Sequence, residues 1–420
     1  MHRLIAAMLA AASCASIAQA QTPPPVEAGG MLTLDQALAS AGLSAPILEA
    51  AQAGVRSADA ARTVAGLRPN PEITVEAENV AGSGPYRALD SLEATTSIGL
   101  PIELGGKRSA RIGVADARLQ RATIEAAIAE ADLRLSVIQA YAEAAGAEHR
   151  LETARDQARI AADALRAAEV RVQAGRASPI EVQRAGVAKV NADAEAQRAE
   201  RLVEVSRFAL SRLIGQPVAG KLDARWFASV HPRRGPLPPV ESAGTLALAA
   251  AQADLAVADA GVRLARAQRS PDLTLSAGAR QFRESGDTAV VFSLSLPLPV
   301  FNNGRAALAQ ASSERLGAEA RQRVIAIEVE QAIARAQADL ANAATTALTA
   351  SGPALAAAEE AARIARIGYR EGKFGQLELL DAERTLAQTR LNAIDALLSY
   401  HVAEARLERL TVRAPDMQGN

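Results

Sequence analysis

The sequence predicts a mainly α-helical chain with a small β part, built by duplicating a long α-helical hairpin. Three observations carry this. Alanine is very abundant, and aromatic residues make up only 3% of the chain, a composition that favours helix by propensity. Two stretches, TTSIGLPIELGGKRSAR (Thr95–Arg111) and VVFSLSLPLPVFNNGR (Val290–Arg305), follow one order: an alternating strand, a proline stop, a glycine break and a basic residue opening a helix. The two lie roughly 200 positions apart, the mark of an internal repeat.

The length of 420 residues exceeds one ordinary core and calls for several domains or one elongated architecture. A net charge of −1 gives no reason to expect a nucleic-acid partner. Residues 1–20 read as a secretory signal: Arg3 is the positive end, Leu4–Ala12 the apolar run and Ala18-Gln19-Ala20 the cleavage site. Cys14, the only cysteine, is either a lipid-attachment residue or a small apolar residue inside the signal, and the short apolar run before it favours the second. No later stretch has the roughly 20 apolar residues of a membrane-spanning helix, so an exported chain is periplasmic, secreted, or crosses an outer membrane as a β-barrel.

Residues 21–31 form a Pro/Gly-rich flexible leader. The first repeat, 32–214, opens with a helix capped by Thr33 and Gln36 in a capping box, with a break at Pro46 and a stop at Pro69 and Pro71. EITVEAEN (Glu72–Asn79) alternates Ile73, Val75 and Ala77 with Glu72, Thr74, Glu76 and Glu78, which suits a wall between oil and water. It pairs with the strand ending at Pro101, where proline cannot donate to a ladder, giving a β-hairpin over 72–102. A helix then runs from Lys107 to about Ala174, roughly 100 Å at 1.5 Å per residue. After a turn at Gly175 and Ser178-Pro179, a second helix runs to Ile214. A proline-rich linker covers 215–240. The second repeat, 241–412, has a helix at about 242–268, a β-hairpin at 272–298, a long helix at about 305–370, a turn at Glu371–Gly375 and a last helix from Gln376 to about Val412. Residues 413–420 are a loose tail.

Four strands of alternating polarity cannot close by themselves, and an open sheet facing lipid leaves unpaired edges that a membrane does not tolerate. Closure needs several copies of the chain around a polar, water-filled lumen.

TLDQAL (Thr33–Leu38), PNPE (Pro69–Glu72), PIELGGKR (Pro101–Arg108) and GYREGKFGQLELLDAERTL (Gly368–Leu386) together resemble the TolC family of outer-membrane efflux ducts, across nearly the whole mature chain. PIELGGKR resembles the branch that serves cobalt, zinc and cadmium or copper efflux. The resemblance implies a homotrimer in outer-membrane lipid, with four strands per chain in a twelve-stranded barrel and a periplasmic helical tunnel. It implies a periplasmic membrane-fusion adaptor and an inner-membrane resistance-nodulation-division pump as partners, with divalent heavy-metal cations as cargo. A drug or type I secretion duct of the same fold is the alternative. An adaptor, with one hairpin, and a coiled-coil envelope protein, without strand pairs, fit less well.

The resemblance also places residues. Glu378 and Asp381, three apart and so on one helix face, match acidic residues that narrow the periplasmic end of the tunnel, and Tyr369 matches a latch. Two solvated helix charges and a packed tyrosine are the alternatives. Gly175, Arg176, Ala177 and Ser178, with Gly372, Lys373 and Phe374, match the hairpin tips where the adaptor docks. Pro101, Gly105, Gly106, Pro297, Pro299 and Gly304 match the junction between barrel and tunnel. The second copy departs from PIELGGKR, and the strands offer few girdle aromatics beyond Tyr86, Phe282, Phe292 and Phe301. His2, His149, His231 and His401 are scattered without metal-ligand spacing, and no Ser/His/Asp set or phosphate loop is visible. No cofactor and no catalysis are expected.

Overall fold

The computed structural model describes residues 30–415 except 233, 234 and 236; the signal, Cys14 and the end of the tail lie outside them. The first half contains α1 (Leu34–Ser44), α2 (Pro46–Ala65), β1 (Glu72–Glu78), β2 (Glu93–Ile102), α3 (Lys107–Gln173) and α4 (Pro179–Ile214). A short α5 (Ala224–Ala228) lies in the linker. The second half contains α6 (Leu246–Ala267), β3 (Leu273–Phe282), β4 (Thr288–Ser295), α7 (Arg305–Thr349), α8 (Leu355–Arg370) and α9 (Gln376–Thr411). Thr33 and Gln36 form the capping box at the start of α1, and Pro46 opens α2 at a position where its missing N–H costs nothing.

The strands form one antiparallel sheet in the order β1-β2-β3-β4, so the two halves meet where β2 pairs β3. The register sorts its side chains. One face carries Glu72, Glu76 and Glu78 of β1, Glu93 and Thr95 of β2 and Arg280 of β3; the other carries Ile73, Val75, Ile98, Leu100, Leu275, Val290, Phe292 and Leu294. The apolar set is exposed, with Ile73 at 73% and Phe292 at 81%. Arg280 ties three strands together on the polar face, through Thr95 Oγ1 at 2.9 Å, Glu93 Oε2 at 3.0 Å and Glu78 Oε2 at 3.1 Å.

Two expectations need correction. Pro101 does not end its strand: β2 runs on to Ile102, with Pro101 opposite Thr274. β1 stops at Glu72, the partner of Gly99, so beyond Gly99 β2 is an edge on that side, where a residue without N–H is tolerated. Nor is the long helix of the second half unbroken. A π turn at Ala350–Ala354 separates α7 from α8. Pro353 cannot donate and would clash with the preceding turn, and Gly352 absorbs the distortion at φ −101°, ψ −105°.

Both sheet-to-helix junctions start their long helix from a left-handed glycine, Gly106 and Gly304, each at φ 73°. Both junctions pack on one turn after α6: a Cβ on Gly105 would lie 2.4 Å from Ser270 Oγ, and one on Gly304 2.7 Å from Arg269 Cγ. The polar residues of PIELGGKR are used in the same place. Lys107 pairs with Asp272 at 2.7 Å, Arg108 donates to the Gly66 carbonyl at 2.6 Å, and Glu103 pairs with Arg111. The Arg111 hydrogen bonds hold the Glu103 carboxyl below its usual range.

α3 is 67 residues long and packs against α2, α4, α6 and α9. Near its middle it is buried almost all round: Val137, Ile138, Ala140, Tyr141, Ala142 and the run Ala144–Ala147. Alanine here lets neighbouring helices approach closely, which accounts for a core poor in aromatic bulk. Around this waist gather Leu32, Ala37, Leu210, Ile214, Leu222, Phe227, Leu397 and Tyr400. Tyr141 anchors it. Its hydroxyl donates to the Leu32 carbonyl at 2.6 Å and accepts from the Asp223 N–H at 2.9 Å, joining the entry of the first repeat to the linker.

Burial pushes the Tyr141 hydroxyl up to about 12. Below the ordinary tyrosine value of about 10 both folded and unfolded chains hold the proton. As pH rises past it the unfolded chain ionises first, so stability falls between about 10 and 12, by up to about 3 kcal/mol. A denaturation series against pH is expected to show this alkaline loss in the native chain and not in Tyr141→Phe, which is less stable at neutral pH by about 1–3 kcal/mol because Leu32 and Asp223 lose their partner.

Candidate functional site

The ends of the two helical hairpins opposite the sheet share one construction. α3 closes with Gly175 at φ 69°, the Gly175 N–H donating to Val172 O at 2.9 Å and the Arg176 N–H to Arg171 O at 2.8 Å. α8 closes with Gly372 at φ 71°, the Gly372 N–H donating to Tyr369 O at 3.1 Å and the Lys373 N–H to Gly368 O at 2.8 Å. This is the Schellman close, which needs a left-handed residue after the helix and so selects glycine. Gly175, Arg176, Ser178, Gly372, Lys373 and Phe374 are exposed and Ala177 is half-buried. Phe374 folds back on Gly368: a Cβ there would lie 2.1 Å from the Phe374 ring.

The two tips touch. Arg171 of α3 lies over the Tyr369 ring, 5.0 Å from its centroid. The Gln376 amide, at the start of α9, donates to the Glu181 carbonyl of α4 at 3.2 Å. The structure therefore brings Tyr369 to the first hairpin through Arg171, a partner that sequence reasoning missed. The Tyr369 hydroxyl is buried without a hydrogen-bond partner.

Along the first three turns of α9 the buried side chains are Gln376, Leu379, Glu383 and Leu386, alternating three and four apart, a seam that faces its hairpin partner. Glu378 and Asp381 lie off that seam, both exposed and neither with an ion-pair partner among the described residues. The Glu378 carboxylate folds towards Gly375, where a Cβ would meet its Oε2 at 2.8 Å. The buried acid is instead Glu383, 3% exposed, held bidentately by Arg366 of α8. That pairing raises the Arg366 guanidinium further above its already high value and fixes the α8–α9 hairpin near its tip.

Among the described residues no group of three or more His, Cys, Asp or Glu side chains is disposed to hold a metal ion, and no helix is long and apolar enough to cross a membrane. What the molecule offers is a sheet with one apolar and one acidic face at one end and, at the other, paired glycine turns beside two solvated carboxylates.

Known proteins resemble this chain in sequence and in fold. The outer membrane efflux protein family matches residues 10–216 and 240–412. The cobalt-zinc-cadmium resistance protein CzcC of Cupriavidus metallidurans is 32% identical over 392 residues, 93% of this chain and 92% of that protein. The nickel and cobalt resistance protein CnrC of the same organism is 32% identical over 304 residues, 72% of this chain and 70% of that protein. Among solved structures, the outer membrane protein VceC of Vibrio cholerae superposes with a TM-score of 0.72 at 22% identity, covering 90% of this chain and 95% of that one; at that identity the likeness speaks to the fold. The chain belongs to the outer membrane efflux protein family and is an outer-membrane efflux channel protein of the TolC fold.

Proposed function

We propose that this chain is the exit duct of a tripartite efflux system and that its cargo is divalent heavy-metal cations. The observation that carries the cargo is the similarity to a cobalt-zinc-cadmium resistance protein along 93% of the chain. Three copies would close a twelve-stranded barrel by pairing the free edges of β1 and β4, with the apolar face to lipid and the acidic face to water. In that assembly Pro101, Gly105, Gly106, Pro297, Pro299 and Gly304 lie where barrel gives way to tunnel. A periplasmic membrane-fusion adaptor docks on the tips at Gly175–Ser178 and Gly372–Phe374, whose glycines let another hairpin approach closely, and a resistance-nodulation-division pump drives transport from the inner membrane.

Glu378 and Asp381 supply the periplasmic constriction. Three copies set six carboxylates around one axis, which attract cations and resist close approach of the copies. Tyr369, held by Arg171, steadies the helix end beside them. The support is their shared face off the α8–α9 seam and their exposure in the single chain.

Deleting the gene is expected to sensitise the host to cobalt, zinc or cadmium more than to hydrophobic drugs in growth assays. Greater sensitivity to the drugs would overturn the cargo while leaving the duct in place. At the constriction, Glu378→Gln with Asp381→Asn is expected to raise single-channel conductance in a planar bilayer and weaken block by divalent cations added on the periplasmic side. Unaltered conductance and block would remove these two residues from the gate.

A further inference from the structure

Three histidines that look scattered along the sequence, His149, His231 and His401, are gathered by folding around α5. Phe227 of α5 is 1% exposed and has a histidine on each side: His149 of α3, stacked at 5.3 Å between ring centroids, and His401 of α9 at 5.8 Å. Trp226 stacks on His401 at 4.1 Å with the planes 23° apart. His231 follows in the same linker, its N–H donating to the Tyr400 hydroxyl at 3.2 Å.

His401 is 2% exposed. Its Nε2 lies 2.9 Å from the Phe227 carbonyl, which can only accept, so Nε2 carries the hydrogen. Its Nδ1 is buried with no hydrogen-bond partner and faces Glu404 Oε2 at 3.7 Å. In a neutral ring that leaves a bare lone pair aimed at a carboxylate, a buried acceptor with nothing to accept. A proton on Nδ1 turns the same geometry into a charge-assisted pair.

We propose that His401 is a proton-operated clamp. Protonation at Nδ1 closes an imidazolium–Glu404 pair, so that one ring bridges the Phe227 carbonyl and α9 and seats α5 between α3 and α9; deprotonation loosens that seat. Among the described residues the charged and titratable groups facing the clamp are few. On α9 they are Glu404 and Tyr400, the Tyr400 hydroxyl donating to Glu404 Oε1 at 3.0 Å. From the linker, His231 acts on Glu404. From α3, His149 lies beyond Phe227, facing its own Glu152 at 3.8 Å. Glu404 is held below the usual carboxylate range, first by the His401 ring beside it and also by the hydrogen bond from Tyr400, so it is the anion that a protonated ring would face. The protonated ring is the partnered one, so the seat is tight at low pH and loosens as pH rises.

Trp226 is the sole tryptophan of the chain, and a charged imidazole quenches a stacked indole more than a neutral one. Trp226 emission from the full chain in detergent is expected to rise as pH is raised and the stacked His401 ring gives up its proton. Glu404→Gln is expected to move that transition to lower pH, and His401→Gln, whose amide can still donate to Phe227, to abolish it. His149→Gln and His231→Gln are expected to retain it. Hydrogen exchange at the amides of 224–231, corrected for intrinsic rates, is expected to slow at low pH in the native chain and not in His401→Gln. A transition that survives His401→Gln, a midpoint unmoved by Glu404→Gln, or exchange that ignores pH would each overturn the clamp.

Discussion

A four-stranded sheet with one apolar face and two free edges cannot be satisfied by a single chain, and the rest of the molecule answers to that constraint. β1 and β4 each present unpaired backbone groups along one side, and the exposed face carries Ile73, Val75, Ile98, Val290, Phe292 and Leu294. In water such a surface aggregates; in lipid the edges must close. The polar face does not invite lipid either, since Glu72, Glu76, Glu78 and Glu93 are offset there by Arg280 alone. Closing the edges between copies curls the sheet with its acids inward. Long rods are then the economical continuation, because a helix satisfies its own backbone wherever it projects. The αL glycines at 106 and 304 put both rods on one side of the sheet, and the shared turn at Arg269–Ser270 fixes both departures.

Duplication explains why the solution looks doubled, and the departures from it show where the halves differ in task. Gly175 and Gly372 make the same Schellman close, because both tips must reverse a helix in the fewest residues. α3 stays one continuous helix through the waist, whereas its counterpart breaks at Gly352-Pro353. Beside that break Arg390 of α9 reaches Asp156 of α3 at 3.6 Å and Glu359 of α8 at 3.2 Å. One arginine thus ties the second hairpin, beside its irregular turn, to the continuous helix of the first.

Features with a local cause were legible in the sequence. The period of two in β1, the glycines needing a left-handed backbone and the capping box at Thr33 and Gln36 each act within a few residues, so the pattern is the cause. The break at Gly352-Pro353 sits between alanine-rich helical patterns that run up to it from both sides, so the pattern alone reads as one helix. Pro101 misled because its cost depends on which side of β2 is paired, and that depends on where β1 ends. At the tip, the exposure of Glu378 and Asp381 follows from their spacing. The Arg171–Tyr369 and Gln376–Glu181 contacts join residues about 200 positions apart, and no local rule reaches that far.

The linker was the least legible segment, and its role is set by what it touches. Its proline-rich composition reads as a loose connection between repeats. Yet Asp223 caps a short helix through the Arg225 and Trp226 N–H groups, and that helix delivers the only Trp and a buried Phe into the waist. There α3 supplies Tyr141 and His149, and α9 supplies Tyr400 and His401. A core built from alanine has little bulk with which to hold two rods in register, so this aromatic cluster concentrates the fixing contacts at one level. Placing a titratable ring in that cluster couples the level at which the rods are joined to the proton concentration outside them, without adding any group to the channel itself.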